Sequence, residues 1–259
     1  KGSFMKIAEG DYVLILTSDE KKYLVEVKDT SFHTHKDFLD LKDLIGKNYG
    51  EIVYGKKGEK FYVLKPSLYD FLMKVERATQ IVYPKDIGYI LLKLNVGPGS
   101  LVLECGGGSG ALTTALAFMV GQEGRVISYE KEPKFQKIAI KNLERLNLLD
   151  RVIFKNVEIT EAFEEKEVDA VFLDLKEPWT LIPAAWESLK GGHFLGILVP
   201  TANQVSRCLL ELQRLPFLDI EVSEILLRQY KPNPERLRPE DRMVAHTGYL
   251  IFAKKVVEK

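Results

Sequence analysis

Apolar and polar residues are arranged differently in two parts of the chain. Between Asp11 and Pro66, short runs rich in β-branched and aromatic residues are separated by polar or glycine- and lysine-containing turns. The runs are DYVLILT, KYLVEVK, EIVYG and KFYVLKP. This pattern is typical of a small antiparallel β unit. Residues 1–4 precede a methionine and are left out of the fold prediction, so the β-rich N-terminal domain is predicted over residues 5–66.

The pattern changes in the following segment, residues 67–80, which we predict to link two domains. Ser67 suits the N-cap of a short amphipathic helix that continues through Val75. A second helix is predicted to begin near Pro84, because proline is favoured at the first helical position.

From residue 100 onward, apolar strands alternate with helices. The strand-like runs are SLVLEC, RVISYE, RVIFKN, DAVFLDL and HFLGILVP, and helical patterns occupy GALTTALAFMV and the stretch from Lys134 to Leu146. This alternation predicts a parallel sheet, and therefore an α/β, Rossmann-like doubly wound domain over residues 81–259. Two longer closing strands are predicted, one over residues 217–228 and one over residues 247–254.

One helix has a clearly amphipathic face. Its apolar residues recur at the spacing of one side of a helix, so we predict that they belong to the core and not to a ligand site. These residues are Phe135, Ile138, Ala139, Leu143 and Leu146.

Composition narrows the classes of protein only modestly. Among the 259 residues, 46% are hydrophobic and the formal net charge is zero, so charge gives no overall argument for a nucleic-acid partner.

The two cysteines, Cys105 and Cys208, are expected to be reduced thiols. No apolar run is long enough for a membrane span, and we expect a cytoplasmic protein without a membrane partner. His33 and His35 lack further ligands, so no metal is predicted; we expect them on one face of a strand.

A glycine-rich turn from Glu104 to Gly110 carries the strongest local signal. It lies between an apolar strand and a helical pattern, where glycine lets the backbone approach a ligand and the helix offers free N–H groups. The same spacing also satisfies the dinucleotide-binding fingerprint. The carboxylate of Glu104 suits a cationic amino group better than a pyrophosphate, which favours a ligand without phosphate.

Three further acids follow strands of the predicted sheet. Glu130 ends the second strand, where a carboxylate can accept hydrogen bonds from ribose hydroxyls. The ribose could belong to an adenosyl or an NAD ligand. Glu158 follows the third strand and either contacts the adenine of such a ligand or is a solvated surface residue. Asp174 follows the fourth strand, so it should face the same crevice as the glycine turn. It can serve the incoming substrate, cap the helix that follows, or do both.

The sequence resembles the tRNA (adenine-58-N1)-methyltransferases of archaea and bacteria. The similarity is spread over most of the chain, and its motifs occur in the right order. They are Phe32-His33-Thr34-His35, DLIGKNYG at 43–50, RATQIVYPKD at 77–86, the glycine turn with Ala111-Leu112-Thr113, Asp174 with Pro178-Trp179, Arg238-Pro239, Arg242-Met243, and His246-Thr247-Gly248-Tyr249.

The resemblance implies an enzyme that transfers a methyl group from S-adenosylmethionine to N1 of adenine 58 in the T loop of tRNA, with adenine 57 left open as a second target. It implies tRNA as partner and a homotetramer as assembly. Asp174 and Tyr83 are the implied catalytic residues, and Tyr83, Arg242 and His246 the implied substrate contacts. The predicted cofactor contacts are Gln80, Glu104, Gly106, Gly107, Gly108, Ser109, Gly110, Ala111, Leu112, Glu130, Glu158 and Asp174.

The sequence departs from the family pattern at two places. Cys105 and Gly107 stand where the family usually has a small residue and Thr, which a turn that binds through its backbone should tolerate. Lys176 and Glu177 stand where it usually has Pro and Asn or a similar residue, which puts substrate positioning beside Asp174 in doubt.

Several alternatives follow from the same residues. The stretch from Ile225 to Ala245 has five basic and three acidic residues, which is consistent with a phosphate-contacting surface or with a solvated loop. A methyltransferase for a small molecule or protein, and a non-catalytic tRNA-binding subunit, are the rival functions; an NAD oxidoreductase ranks last. The intact Glu104, Gly106, Gly108 and Asp174 argue against a subunit without activity.

Overall fold

A computed structural model describes residues 5–76 and 80–258. The chain divides into two compact units, one up to residue 74 and one from residue 75 onward. The division falls inside the segment 67–80 that the sequence predicted as a link. Arg77, Ala78 and Thr79, which belong to the linking motif of the resemblance, lie outside the described residues.

The first unit is a β structure with one short helix. Its four-stranded antiparallel sheet has the order β2-β1-β6-β5, and β3 pairs with β4. The strands are β1 (Tyr12–Thr17), β2 (Lys22–Glu26), β3 (Ser31–His33), β4 (Phe38–Asp40), β5 (Ile52–Tyr54) and β6 (Lys60–Leu64). Helix α1 (Leu68–Met73) begins at Ser67, whose hydroxyl and the Asp70 carboxylate form a reciprocal capping box.

Apolar residues at every second position give the small sheet a covered face. Val13 and Ile15 of β1, Phe61 and Val63 of β6, and Val27 are all buried in one cluster, as expected for one covered face. The sequence did not predict the β3–β4 pair. His33 ends β3, and its ring stacks on that of Phe38 with 5.2 Å between the ring centroids. His35 lies outside the strand, so the prediction that both histidines share one strand face was wrong.

The second unit is built on a seven-stranded sheet of order β12-β15-β11-β10-β7-β8-β9. All pairs from β11 to β9 are parallel, and β15 is antiparallel to both of its neighbours. The strands are β7 (Leu101–Cys105), β8 (Arg125–Tyr129), β9 (Val152–Lys155), β10 (Val168–Leu173), β11 (Leu189–Val199), β12 (Phe217–Ser223) and β15 (Tyr249–Lys255). A separate pair is formed by β13 (Tyr230–Lys231) and β14 (Arg238–Pro239).

In the described part of this unit, one α-helix precedes β7, and four more lie between strands of the sheet. They are α2 (Pro84–Lys93), α3 (Ala111–Val120), α4 (Pro133–Glu144), α5 (Ile182–Ser188) and α6 (Ala202–Arg214). The connection from β7 through α3 to β8 runs toward the β9 edge of the sheet. The connection from β10 through α5 to β11 runs toward the β12 edge. Because such crossovers are right-handed, the two sets of helices cover opposite faces of the sheet. The predicted doubly wound α/β fold with a β-rich N-terminal part is therefore confirmed.

Two details of the prediction were wrong. The strand predicted over residues 217–228 ends at Ser223. Of the predicted core face of α4, Ala139 and Leu143 are fully buried, but Phe135 is only partly buried and lines a cavity. The first turn of α4 lies at the carboxyl edge of the sheet, so periodicity alone assigned Phe135 to the core incorrectly.

The described residues contain no helix with the length and apolar character needed to cross a lipid bilayer. Cys105 and Cys208 are both buried free thiols. Within the described ranges, no group of three or more His, Cys, Asp or Glu side chains has an arrangement that could bind a metal ion.

Two glycines of the second unit should respond to alanine in opposite ways. A Cβ at Gly88, inside α2, would meet nothing within 4 Å, so Gly88→Ala should raise the free energy of unfolding by about 0.5–1 kcal/mol through helix propensity. A Cβ at Gly196 in β11 would lie 2.8 Å from the Phe172 ring, so Gly196→Ala should lower it by about 1–3 kcal/mol. Urea unfolding of both variants checks the pair, and a destabilised Gly88→Ala protein would contradict it.

Candidate active site

The predicted site residues cluster where the strand order reverses. Strands β7 and β10 are adjacent and parallel, yet the chain continues from β7 toward one edge of the sheet and from β10 toward the other. The glycine turn follows β7 and Asp174 follows β10, and the Asp174 N–H donates to the Cys105 carbonyl at 2.9 Å. A reversal of this kind opens a crevice at the carboxyl ends of the strands, which is where open α/β sheets bind ligands.

The turn itself requires glycine. Gly106, Gly108 and Gly110 have φ values of 93°, 53° and 86°, in the left-handed region that other residues rarely adopt. A Cβ on Gly106 would also overlap the Asp174 carbonyl oxygen. The two strand ends therefore approach each other through backbone atoms, and a side chain at Gly106 would separate them.

Glu104 lies at the base of the turn and is 2% exposed. Its Oε1 accepts hydrogen bonds from the hydroxyls of Thr113, in α3, and Ser128, in β8. Burial raises the pKa of this carboxyl, the hydroxyl donors oppose the rise, and the negative charge of Glu130 adds to it. A cation bound beside Glu104 would relieve this unfavourable burial of charge.

Glu130 closes the turn from the neighbouring strand. Its Oε2 accepts from the Gly108 N–H at 2.8 Å, and its Oε1 accepts from the Glu132 N–H at 3.1 Å. The carboxylate is thus held by backbone donors on both sides, in a position where 8% of the residue remains exposed. The Gly108 N–H is consequently occupied by a carboxylate rather than directed toward a phosphate.

Asp174 completes a group of three acids around the crevice. It is half-buried, and the pKa of its carboxyl is raised to about 7 by burial first, and then by the charges of Glu104 and Glu130. A carboxyl with this pKa changes its charge near neutral pH. Such a shift in a cleft marks a candidate functional residue.

Two cavities meet at these residues. The smaller one lies against the turn, and the larger one has a volume of about 520 Å³, within the range of small-molecule sites. The smaller is lined by Gln80, Ile81, Val82, Glu104, Gly106, Gly107, Gly108, Ser109, Gly110, Ala111, Leu112 and Asp174. The larger is lined by Gln80, Cys105, Gly106, Gly108, Tyr129, Glu130, Lys131, Glu132, Phe135, Val157, Glu158, Ile159, Asp174, Leu175, Lys176, Glu177, Thr180 and Leu181.

All twelve predicted cofactor residues therefore border one of the two cavities. Glu158 lies on the rim, because its side chain is 65% exposed and pairs with Lys131 at 3.5 Å. The sequence analysis missed the apolar wall of the larger cavity, which contains Phe135, Ile159 and Leu175. Their positions just beyond the carboxyl ends of β8, β9 and β10 were the available signal.

Sequence reasoning also missed Asn142 in α4. This side chain is 3% exposed, and its amide nitrogen donates to the Ser109 carbonyl at 2.9 Å. It also exchanges hydrogen bonds with the backbone of Glu76. A polar residue buried in a helix was the available signal, since buried amides require partners. Asn142 supports the glycine turn from behind.

The predicted acceptor residues lie outside the two cavities. Tyr83 is the N-cap of α2, half-buried, and its hydroxyl accepts from the Gln80 side chain at 3.5 Å. Arg242 is exposed. His246 is exposed, and its two ring nitrogens lie 2.8 Å from the Pro200 carbonyl and 3.4 Å from the Glu224 carboxylate. The pKa of His246 is raised first by the Pro200 carbonyl and then by Glu224.

The charges around the turn distinguish between the two ligands that the glycine spacing allows. Three carboxyl groups face the crevice, and the described lining of the smaller cavity contains no Lys or Arg. A dinucleotide would bring its pyrophosphate toward these acids, whereas the ammonium and sulfonium charges of S-adenosylmethionine complement them. The residues present therefore fit the methyl donor and not a dinucleotide.

Comparison with known proteins gives one family over most of the chain. A family model described as the tRNA methyltransferase complex GCD14 subunit matches residues 60–243. The tRNA (adenine(57)-N(1)/adenine(58)-N(1))-methyltransferase TrmI of Methanocaldococcus jannaschii is 32% identical, with 94% of each chain covered.

Two solved structures are also similar along the whole chain. One, from Thermotoga maritima, is described as a SAM-dependent O-methyltransferase; it is 48% identical with a TM-score of 0.93, covering 98% of this chain and 96% of its own. The other, the tRNA (m1A58) methyltransferase TrmI of Aquifex aeolicus, is 41% identical with a TM-score of 0.86, covering 98% and 100%. With a glycine turn and three acids at the reversal of a doubly wound sheet, and with relatives that match it over nearly their full lengths, this chain belongs to the tRNA methyltransferase family of the GCD14 subunit and TrmI.

Proposed function

We propose that this protein transfers a methyl group from S-adenosylmethionine to N1 of adenine 58 in the T loop of tRNA. The observation that carries the proposal is the position of Asp174, which borders the same two cavities as the glycine turn in a chain of this family. Relatives named for this reaction, including one named for adenines 57 and 58, support the choice of acceptor. Adenine 57 is a second acceptor that the same site could take.

Different residues of the crevice would bind different parts of the cofactor. Glu104 and the glycine turn would hold its cationic amino acid end, and Glu130 would accept from ribose hydroxyls. The apolar wall formed by Phe135, Ile159 and Leu175 would cover an adenine ring. Bound S-adenosylmethionine supplies an electrophilic methyl group on a cationic sulfur.

Asp174 would act on the acceptor base. Adenine N1 has a free lone pair, so no base is needed to remove a proton before it attacks. The adenine ring becomes positively charged as it is methylated, and an ionised Asp174 that accepts a hydrogen bond from the exocyclic amino group would stabilise that charge. This electrostatic effect is strong in a crevice that excludes water.

The acceptor base must leave its stack to reach this crevice. Extrusion of a nucleotide costs roughly a few kcal/mol, which a stacking surface can offset. Tyr83 precedes the rigid Pro84 at the start of α2 and is our candidate for this surface, with Arg242 and His246 as contacts to the tRNA. A homotetrameric assembly and a cytoplasmic location are part of the same proposal, supported by the family resemblance.

A second candidate acceptor is a hydroxyl group of a small molecule or protein. It is favoured by the name of the Thermotoga maritima relative and by the pKa of about 7 for Asp174, which suits a general base. Methylation of a hydroxyl requires removal of its proton, whereas methylation at adenine N1 does not. The two candidates therefore differ in the atom that is labelled.

Labelling of unmodified tRNA tests the proposed function directly. Incubation with methyl-labelled S-adenosylmethionine should give one main labelled nucleoside, 1-methyladenosine, and nuclease mapping should place it at position 58. A transcript with guanosine at positions 57 and 58 is the control and should remain unlabelled. Label on a ribose hydroxyl, or no label on any tRNA, would contradict the proposal.

Asp174→Asn should separate catalysis from cofactor binding. The variant keeps the shape of the side chain but loses its negative charge, so kcat should fall by about 10²–10³-fold, while the affinity for S-adenosylhomocysteine stays within a few-fold. Asp169→Asn, near the start of β10 and so at the opposite end from Asp174, makes the same chemical change and should keep kcat. Equal turnover by Asp174→Asn and the unmodified protein would remove the assigned role.

The raised pKa of Asp174 also predicts a pH dependence. Since the ionised carboxylate is the active form, kcat/KM for S-adenosylmethionine, which reports the enzyme before the donor binds, should rise as pH increases through about 7 and should fall about tenfold per pH unit well below it. Asp174→Asn should lack this acidic limb. The folded state binds this proton more tightly than the unfolded chain, so the carboxyl lowers the stability of the free protein as pH rises from about 4 to 7. A flat kcat/KM profile across neutral pH for the unmodified protein would rule out the titration.

A further inference from the structure

A buried ion pair lies at the start of α2, outside the two cavities. Lys85 and Asp86 are neighbours in sequence, and the lysine nitrogen lies 3.1 Å from the nearer carboxylate oxygen. Their side chains are 7% and 2% exposed. Burial of two opposite charges rarely stabilises a fold more than apolar residues would, because both ions lose their hydration. Stability of the fold alone therefore does not explain the burial of this pair, and its hydrogen-bond partners indicate another role.

The pair contacts both ends of one long excursion of the chain. Lys85 donates to the Ile225 carbonyl at 2.6 Å and to the Thr247 hydroxyl at 2.6 Å. The Thr247 hydroxyl in turn donates to the Asp86 carboxylate at 2.6 Å. Ile225 follows β12 and Thr247 precedes β15, so the two ends of the segment 225–247 meet at one ammonium group. We call these four residues the clamp.

Every donor of the clamp is used. An ammonium group has three N–H donors, and those of Lys85 have the Asp86 carboxylate, the Ile225 carbonyl and the Thr247 hydroxyl as partners. Removal of one partner leaves a buried charge incompletely paired, which is costly. The clamp is thus a specific connection that fixes the geometry between α2 and the segment.

The clamp joins the lip of the smaller cavity to a largely exposed segment. Gln80, Ile81 and Val82 line that cavity and directly precede Tyr83 and α2. The segment 225–247 is mostly exposed; it contains the β13–β14 pair and an ion pair between Lys231 and Asp241 at 2.7 Å. Its basic residues outnumber its three acidic residues, Glu235, Glu240 and Asp241; they are Arg228, Lys231, Arg236, Arg238, Arg242 and His246.

We propose that Lys85, Asp86 and Thr247 are positioning residues that hold the basic segment 225–247 in a fixed place beside the cavity lip, so that tRNA docks with its acceptor base over the crevice. The inference rests on the proposed function, because it assigns this segment to the tRNA side of the same site. The hydrogen bonds and the ion pair described for the clamp side chains involve no residue that lines the glycine turn's cavity. It should therefore affect tRNA docking and leave cofactor affinity unchanged.

Thr247→Val is the test variant, because it removes the hydroxyl with little change of shape and leaves the Lys85–Asp86 pair in place. Thr247→Ser keeps the hydroxyl and is the matched rescue. Lys93→Met is the control on the same helix, since it breaks a partly exposed ion pair between α2 and Glu221 of β12. For each protein, three quantities are measured: amide hydrogen exchange of residues 226–246, the affinity for S-adenosylhomocysteine, and kcat and KM with unmodified tRNA.

In Thr247→Val, amide exchange of the segment should become faster and KM for tRNA should rise about tenfold, because the hydroxyl's hydrogen bonds with Lys85 and with Asp86 are both lost. The kcat value and the affinity for S-adenosylhomocysteine should stay within about twofold of the unmodified protein. Thr247→Ser and Lys93→Met should behave as the unmodified protein does.

Different failures have different meanings. If exchange in Thr247→Val is unchanged, or if it increases while KM for tRNA does not, the positioning role is overturned although the unmodified enzyme still methylates tRNA. If the unmodified protein methylates no tRNA, the proposed function fails and the positioning role fails with it. Should Thr247→Val not fold, the double variant Lys85→Met/Asp86→Asn replaces it with the same expected shifts, and loss of folding in both variants overturns the proposal in favour of a purely structural role.

Discussion

The site depends on the close backbone approach between the ends of two neighbouring parallel strands. Gly106, after β7, lies so near the Asp174 carbonyl, after β10, that a Cβ there would overlap it. The Asp174 N–H completes the contact by donating to Cys105 at 2.9 Å. Because the strand order reverses between these strands, the contact lies at the mouth of a crevice. This approach places the glycine turn and the acid at the same cavity.

The same approach brings three carboxyl groups together, and their mutual repulsion would be reduced by a bound cation. Glu104, Glu130 and Asp174 are brought together with little access to water, so the pKa of Asp174 rises to about 7. Protein interiors tolerate such clusters when a function needs them, and clusters of this kind are typical of binding and catalytic sites. In a methyltransferase, a donor that arrives with positive charge would lower the energy of all three carboxylates at once. In the proposed function, binding of the cationic methyl donor would therefore favour ionisation of these carboxyl groups.

The two sides of the reaction are built differently. The cofactor side comes from consecutive strand ends and turns of one sheet, which the fold fixes as soon as the sheet forms. In the proposed function, the acceptor side would combine the start of α2 with the segment 225–247, which a buried side-chain network connects through Lys85 and Asp86. Relatives that share the cofactor side can therefore differ in acceptor, as the names of the two similar solved structures do.

The sequence by itself determined the alternation of strands and helices after residue 100, the doubly wound sheet and the residues of the glycine turn, because apolar periodicity and glycine spacing are local signals. It placed Asp174 on the correct strand end for the same reason. Tertiary structure decided what depends on contacts between distant residues. Phe135 belongs to the cavity wall and not to the core because the first turn of α4 sits at the sheet edge, and Asn142 supports the turn from another helix. No periodicity could pair Lys85 with Thr247, since a hydrogen bond across that separation exists only after the chain has folded.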